Sequence, residues 1–393
     1  MPHDRKRHAL SLIIKKLKFS RIVSLQGARQ TGKSFIAREI IQPQIKNSQY
    51  ITLDSTQDRS LANRNPSTFL SQFEDSSPVI IDEAQKAGDL FDEIKLRVDL
   101  NPKPGQYLLL GSTEFSHELK IMESLTGRLS RVELFPLNLA EALSLEPNPS
   151  HTPSLLNRKP RVTRNQLLKH LSHGGLPGIF SVRDPQEREQ LLTSWLKLVS
   201  DRDLLQIKTL KLDSDLATDM IRALPTLEEP DVASLAKKLR VASRKIATHL
   251  KALELLFVIK KILPHSAGSG KPRYFLIDLG ISKLLGQSLR SAVQQCLLLE
   301  QWSQRSYHAE HSKLCYYRSS RGNIIDLIIE DSSGKHPPIA IQVSDSEKID
   351  LRDFQILHAF KKKVGKAQLI HLAPVSRHQT LDGVEVFPWE SMA

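Results

Sequence analysis

Gly27-Ala28-Arg29-Gln30-Thr31-Gly32-Lys33-Ser34 is the stretch on which the reading of this chain turns. It matches G-x-x-x-x-G-K-[ST] without a gap, and it sits between a β-branched run, Arg21–Leu25, and a helical pattern, Ser34–Ile41. Gly27 and Gly32 allow the backbone to curl so that successive N–H groups face phosphate oxygens. Lys33 supplies a point charge to the β- and γ-phosphates, and Ser34 offers a hydroxyl to Mg²⁺. The following helix adds its positive N-terminal end. All eight residues therefore form the candidate nucleotide site, with ATP and Mg²⁺ as the expected ligands.

Working outward, Pro78-Val79-Ile80-Ile81-Asp82-Glu83 reads as a buried strand ending in two acids. Asp82 is placed to hold Mg²⁺, and Glu83 to polarise an attacking water. Acids after a strand also serve as helix caps, which is the plainer use. Leu108–Leu110 leads into Gly111-Ser112-Thr113, where either hydroxyl could meet the γ-phosphate or simply close a turn. Arg128, after Gly127, is the candidate arginine for transition-state charge, in this chain or in a neighbouring copy; a surface ion pair is its other use. The remaining runs, Tyr50–Leu53, Tyr107–Leu110 and Arg131–Leu134, complete a parallel sheet. Pro66–Phe73, Gly88–Val98 and Ser116–Ser124 have helical spacing between the strands.

The order of these motifs resembles the AAA-type ATPases of bacteria and archaea that continue into a winged helix and a C-terminal domain with a restriction-endonuclease-like core. The likeness extends through Gly174-Gly175-Leu176-Pro177, Trp195, Arg202-Asp203-Leu204 and Tyr274–Gly280, and weakens after about Val343. It implies ATP hydrolysis and a role for Arg128 in a homo-oligomer. The expected fold class is α/β, with a P-loop sheet over residues 1–145. A Pro-rich linker and helical segment follow over 146–225, then a winged helix over 226–283 and the endonuclease-like domain over 284–393.

Within 226–283, Asp231–Leu239 and Arg244–Leu256 have helical spacing and are joined by a tight turn at Arg240-Val241-Ala242. That layout is helix-turn-helix, with Arg244, Lys245, Thr248 and Lys251 as candidate contacts to DNA phosphates. The strands Phe257–Leu263 and Arg273–Leu276 would flank a wing at His265–Gly270. Relatives usually have Gly where this chain has Arg240, so a left-handed turn residue there is strained. In the last domain Asp326 fills the first acidic position of an endonuclease-like site, with Glu300 as a possible added ligand. Gln342 and Ser344 stand where the second acid and the lysine belong, so nuclease chemistry is not expected.

The chain has 393 residues and a net charge of +13. The excess lies in Met1–Ser20, His151–Gly175 and Lys237–Lys261, net +5, +5 and +7, so the rest is acidic on balance. Nucleotide binding uses little of this charge, which points to a second polyanion or to solvated helix faces. Cys296 and Cys315 exclude a disulfide scaffold and are too few for a four-ligand zinc site, and no histidine spacing suggests a metal. No apolar run is long enough for a membrane span, and the N-terminus lacks a signal peptide, so a cytoplasmic protein is expected. Three functions follow in order: an ATPase coupled to nucleic acid, an ATP-gated protein-interaction switch without DNA, and, last, an ATP-driven nuclease.

Overall fold

The computed structural model describes residues 5–115, 125, 127–147, 156–207, 210–309 and 312–392. The expected helix Ser116–Ser124 lies outside them. The chain divides into two compact units. One comprises Met1–Pro136 with Leu255–Phe257 and Ser306–Ala309; the other comprises Leu137–Glu254, Val258–Arg305 and Glu310–Ala393.

The first unit is built on five parallel strands, β1 (Ile22–Gln26), β2 (Gln49–Thr52), β3 (Val79–Asp82), β4 (Tyr107–Gly111) and β5 (Leu129–Glu133), in the order β2-β3-β4-β1-β5. The near-continuous apolar runs of β1, β3 and β4 are buried along their whole length, as strands covered on both faces must be. One side of the core packs Phe69, Phe91, Ile94 and Val98 against Ile81 and Leu109. Because the strands are parallel, the loops leaving β1, β3 and β4 share the carboxyl edge of the sheet.

The second unit opens with helices Leu139–Ala142, Arg164–His173, Pro177–Phe180, Pro185–Leu198 and Ser214–Ala223. The first two are fixed by capping boxes, Asn138 with Glu141 and Thr163 with Gln166. Helices Val232–Leu239 and Ser243–Leu255 then lead into the hairpin β6 (Ile259–Pro264) and β7 (Arg273–Leu276). A 20-residue helix, Leu289–His308, precedes β8 (Lys313–Arg318), β9 (Ile324–Glu330) and β10 (Ile339–Val343). Helix Gln355–Val364, β11 (Gln368–Ala373), β12 (Gln379–Leu381) and β13 (Val384–Pro388) complete a mixed sheet in the order β12-β13-β11-β10-β9-β8-β6-β7.

The β6–β7 hairpin thus belongs to this larger sheet: Leu263 and Pro264 of β6 pair in parallel with Cys315 and Tyr316 of β8. The loop expected to form a free wing is tied down as well. His265 donates its N–H to Tyr316 O at 2.7 Å, Ser269 donates to Arg318 O at 2.9 Å, and the Tyr316 hydroxyl donates to Lys271 O at 2.7 Å.

The motifs of the middle segment form one structural knot. Asp278 is buried, and its carboxylate accepts the N–H groups of Gly175 (2.7 Å), Leu176 (3.2 Å) and Ile281 (3.0 Å), so it caps Leu279–Leu284 and holds the Gly174–Pro177 turn. A Cβ on Gly174 would lie 2.4 Å from that carboxylate. The described part of the Pro-rich segment is also anchored, since the Asn157 N–H donates to Ser391 O and Leu156 and Val162 enter the core with Trp389 and Met392.

Candidate functional site

The loop after β1 has the backbone that phosphate cradles need. Gly27, Gln30 and Gly32 all have positive φ, and a Cβ on Gly27 would meet Leu134 O at 2.2 Å. Lys33 is buried, and its Nζ donates to the carbonyls of Gly27 and Ala28, both at 2.8 Å, so the ammonium already lies inside the curl of the loop. Arg7 braces the loop from outside. Its guanidinium donates to Thr31 O and Phe135 O, each at 2.6 Å, and lies 3.4 Å from the Tyr307 hydroxyl. One charge of the basic N-terminal tail is therefore an internal strut.

Asp82 ends β3 and is 4% exposed. Its Oδ2 accepts the Tyr50 hydroxyl of β2 at 2.5 Å. Burial, followed by the bond to Asp82, holds the Tyr50 phenol above its ordinary pKa, so it remains a donor. Ser34 at the end of the phosphate loop and Asp82 at the end of β3 are the oxygen ligands expected for Mg²⁺.

Glu83 follows in the left-handed region, φ 55° and ψ 40°, a strained position for a side chain. That turn points its carboxylate toward β4. Oε2 accepts Gln85 Nε2 at 2.6 Å and the Ser112 hydroxyl at 3.2 Å. Gly111 makes the approach possible, because a Cβ there would lie 2.4 Å from the Phe115 ring and 2.9 Å from Gln85 Oε1. Thr113 contributes its backbone carbonyl, which accepts Gln26 Nε2 at 3.0 Å. Sequence reading gave no role to Arg7, and it placed Tyr50 and Gln85 in the motif order without assigning them one. Gln85, two residues after Glu83, carried the clearest available signal.

Arg128 is not brought to this edge. It precedes β5, and Leu129 pairs with Ile22 at the start of β1, whereas the phosphate loop follows Gln26 at its end. At about 3.3 Å per residue, roughly 15 Å of strand separates them. Arg128 instead makes a two-pronged bond to Asp99, at 2.6 and 2.7 Å, and holds that carboxyl below its ordinary pKa.

In the second unit, Arg244, Thr248 and Lys251 form one stripe at i, i+4, i+7 of the Ser243–Leu255 helix. Arg244 and Lys251 are exposed, while the Thr248 hydroxyl donates back to Arg244 O at 3.0 Å. Lys245 leaves the stripe and pairs with Asp213 at 2.9 Å. His249 is buried: its Nε2 accepts the Asp213 N–H at 2.9 Å and its Nδ1 donates to Lys245 O at 2.8 Å. Further basic charge is internally balanced, with Arg164 gripping Glu390 beside the Trp389 ring and Arg158 pairing with Glu385 at 3.2 Å.

Asp326 on β9 is 1% exposed, and both its oxygens lie 3.0 Å from Arg290 Nη2. Its Oδ2 also accepts the Val343 N–H at 2.7 Å. Gln342 lies on the neighbouring strand with a buried Oε1 that lacks a hydrogen bond. Glu300 is absent from this cluster, because ten residues of helix place it about 15 Å along the axis from Arg290. It accepts the Leu139 N–H at 2.6 Å instead. A single carboxylate already satisfied by a guanidinium is a poor magnesium site.

With this geometry in view, comparison with known proteins locates the nucleotide domain. Residues 19–143 match the family model of an AAA domain. Residues 164–290 match a domain of unknown function, DUF8612, which covers the helical segment, the Ser243–Leu255 helix and the hairpin. Uncharacterized proteins of Mycobacterium tuberculosis and Mycobacterium bovis are each 27% identical over 342 residues, covering 83% of this chain and 71% of theirs. Among solved structures, a Walker-type ATPase of Pyrococcus abyssi is 14% identical with a TM-score of 0.43, covering 71% of this chain and 95% of that one. The RuvB Holliday junction branch migration motor of Thermotoga maritima is 14% identical with a TM-score of 0.28, covering 64% and 87%. Among the described residues, no helix is long and apolar enough to cross a membrane.

Proposed function

We propose that this protein is a Mg²⁺-dependent ATP hydrolase whose nucleotide state is coupled to contact with nucleic acid. The observation that carries the hydrolytic reading is the meeting of Lys33, Ser34, Asp82 and Glu83 at one edge of the sheet, with Glu83 oriented by Gln85 and Ser112. Lys33 exchanges the Gly27 and Ala28 carbonyls for phosphate oxygens, while the loop N–H groups bind the same anion. Ser34 and Asp82 would hold a magnesium ion, which would supply charge neutralisation at the phosphates. Glu83 accepts a proton from the attacking water, and its two hydrogen-bond donors keep the carboxylate aimed. Tyr50 holds Asp82 in place by donating to its Oδ2.

The coupling to nucleic acid rests on the exposed Arg244 and Lys251, one stripe with the half-buried Thr248 between them, suited to phosphates rather than to base edges. The hairpin loop is anchored to β8, with Ser266, Ser269 and Lys271 exposed beside it. An ATP-gated protein-interaction switch is the second reading, favoured by the internal pairing of Lys245, Arg158 and Arg164. Nuclease activity is not proposed, given the Asp326–Arg290 pair. ATP turnover with and without DNA or RNA, at two salt concentrations, separates the first two. Stimulation that fades with salt and is lost in Arg244→Ala/Lys251→Ala supports nucleic acid; a rate indifferent to nucleic acid supports the switch.

A further inference from the structure

Cys296 and Glu300 stand one turn apart on the Leu289–His308 helix, so both face the same way. Opposite them, the Arg164–His173 helix brings in His170. A ring nitrogen of His170, the sulfur of Cys296 and a carboxylate oxygen of Glu300 lie within 4.8 Å of one another, and all three residues are buried. The surroundings are apolar, with Leu139, Leu167, Leu171, Val293 and Leu297 in the same core cluster. Three ionisable groups in one apolar core are costly unless something repays their desolvation. The Nδ1 of His170 is buried without a hydrogen-bond partner.

We propose that His170, Cys296 and Glu300 form a zinc site joining the Arg164–His173 helix to the Leu289–His308 helix. Thiolate, imidazole and carboxylate are the three donor types that zinc takes from proteins, and the thiolate disfavours magnesium or calcium. Charge balance agrees: one thiolate and one carboxylate neutralise the dication, leaving a buried site with no net charge. Without a cation, burial favours the neutral forms, pushing the His170 imidazole down to about 4 and the Glu300 carboxyl up to about 8, and raising the Cys296 thiol. Glu300 also has an outer partner, because its Oε1 accepts the Leu139 N–H at 2.6 Å, as metal-bound carboxylates are commonly oriented. Glu141, whose charge also acts on Glu300, is engaged by the Asn138 N–H at 3.1 Å.

The test is metal content. Full-length protein purified without metal-affinity resin is assayed for zinc by mass spectrometry, then stripped and titrated with Co²⁺. About one zinc per chain is expected, together with a thiolate-to-cobalt charge-transfer band that disappears in Cys296→Ser. Circular dichroism establishes that this near-isosteric variant is folded. The Glu300→Gln variant should bind Co²⁺ at least tenfold more weakly. Zinc-free protein that also gives no cobalt band would overturn the proposal and leave a neutral trio. A band that survives Cys296→Ser would overturn the ligand assignment.

Discussion

Replacing Arg290 by methionine tests whether Asp326 is a structural acid or a latent metal ligand. Asp326 is 1% exposed and accepts from two groups, Arg290 and the Val343 N–H. Removing the guanidinium leaves a buried carboxylate with one donor. Breaking a fully buried pair costs about 3–5 kcal/mol. Arg290 is 38% exposed, so solvent already weakens the pair, and about 2–3 kcal/mol is the expected loss. For a unit of this size that lowers the melting temperature by roughly 5–10 °C. Scanning calorimetry is the suitable assay, because two compact units allow separate transitions. Combining Arg290→Met with Asp326→Asn removes the orphaned charge and keeps an acceptor for Val343, so most of the loss is recovered. Simple additivity of the two changes would refute the pair. Mg²⁺-dependent plasmid nicking that arose in Arg290→Met and vanished in the double variant would refute the structural role of Asp326.

Arg240 ends its helix at φ 56° and ψ 40°, a region that costs a side chain about 1–2 kcal/mol. Arg240→Gly should therefore raise stability by about 0.5–1 kcal/mol in urea unfolding, after allowing for the freer unfolded chain; unchanged or lower stability would contradict the strain. His371 lies on β11, 1% exposed, against the Phe354 ring and near Asp353, Asp326 and Arg290. Burial depresses its pKa below 6.5, so the folded state resists protonation. Its contribution is fully present above about pH 6.5 and is lost as the pH falls toward the depressed value, by at most about 1.4 kcal/mol per pH unit. His371→Gln should flatten that part of the stability–pH profile, and an unaltered slope would count against it.

The parts of the fold that the sequence made legible are those whose signals are local. The phosphate loop, the β3 acids and the two helices around Arg240 each declare themselves within about a dozen residues. Arg128 precedes β5 of a parallel sheet, so within its own chain it lies at the edge away from the phosphate loop, and only a role toward a neighbouring copy stays open to it. Part of the charge in the basic windows has internal partners distant in sequence, Arg164 with Glu390 and Arg7 with the Phe135 carbonyl, which the sequence alone does not show. Strands β11, β12 and β13 escaped notice because they lie past the point where the motif order weakens. Tyr50 stands out as a motif position, but its role needs β2 beside β3, which sets its hydroxyl on Asp82.

The central claim is hydrolysis carried by Glu83. Its most direct test is steady-state turnover of Mg²⁺-ATP by the Glu83→Gln variant, measured beside ATP affinity and with Lys33→Ala as the binding-deficient control. Turnover by the parent chain, falling about 10²-fold or more in Glu83→Gln while ATP affinity stays within a few-fold, is the predicted result. Turnover that is undiminished in Glu83→Gln, or absent from the parent chain, would contradict it.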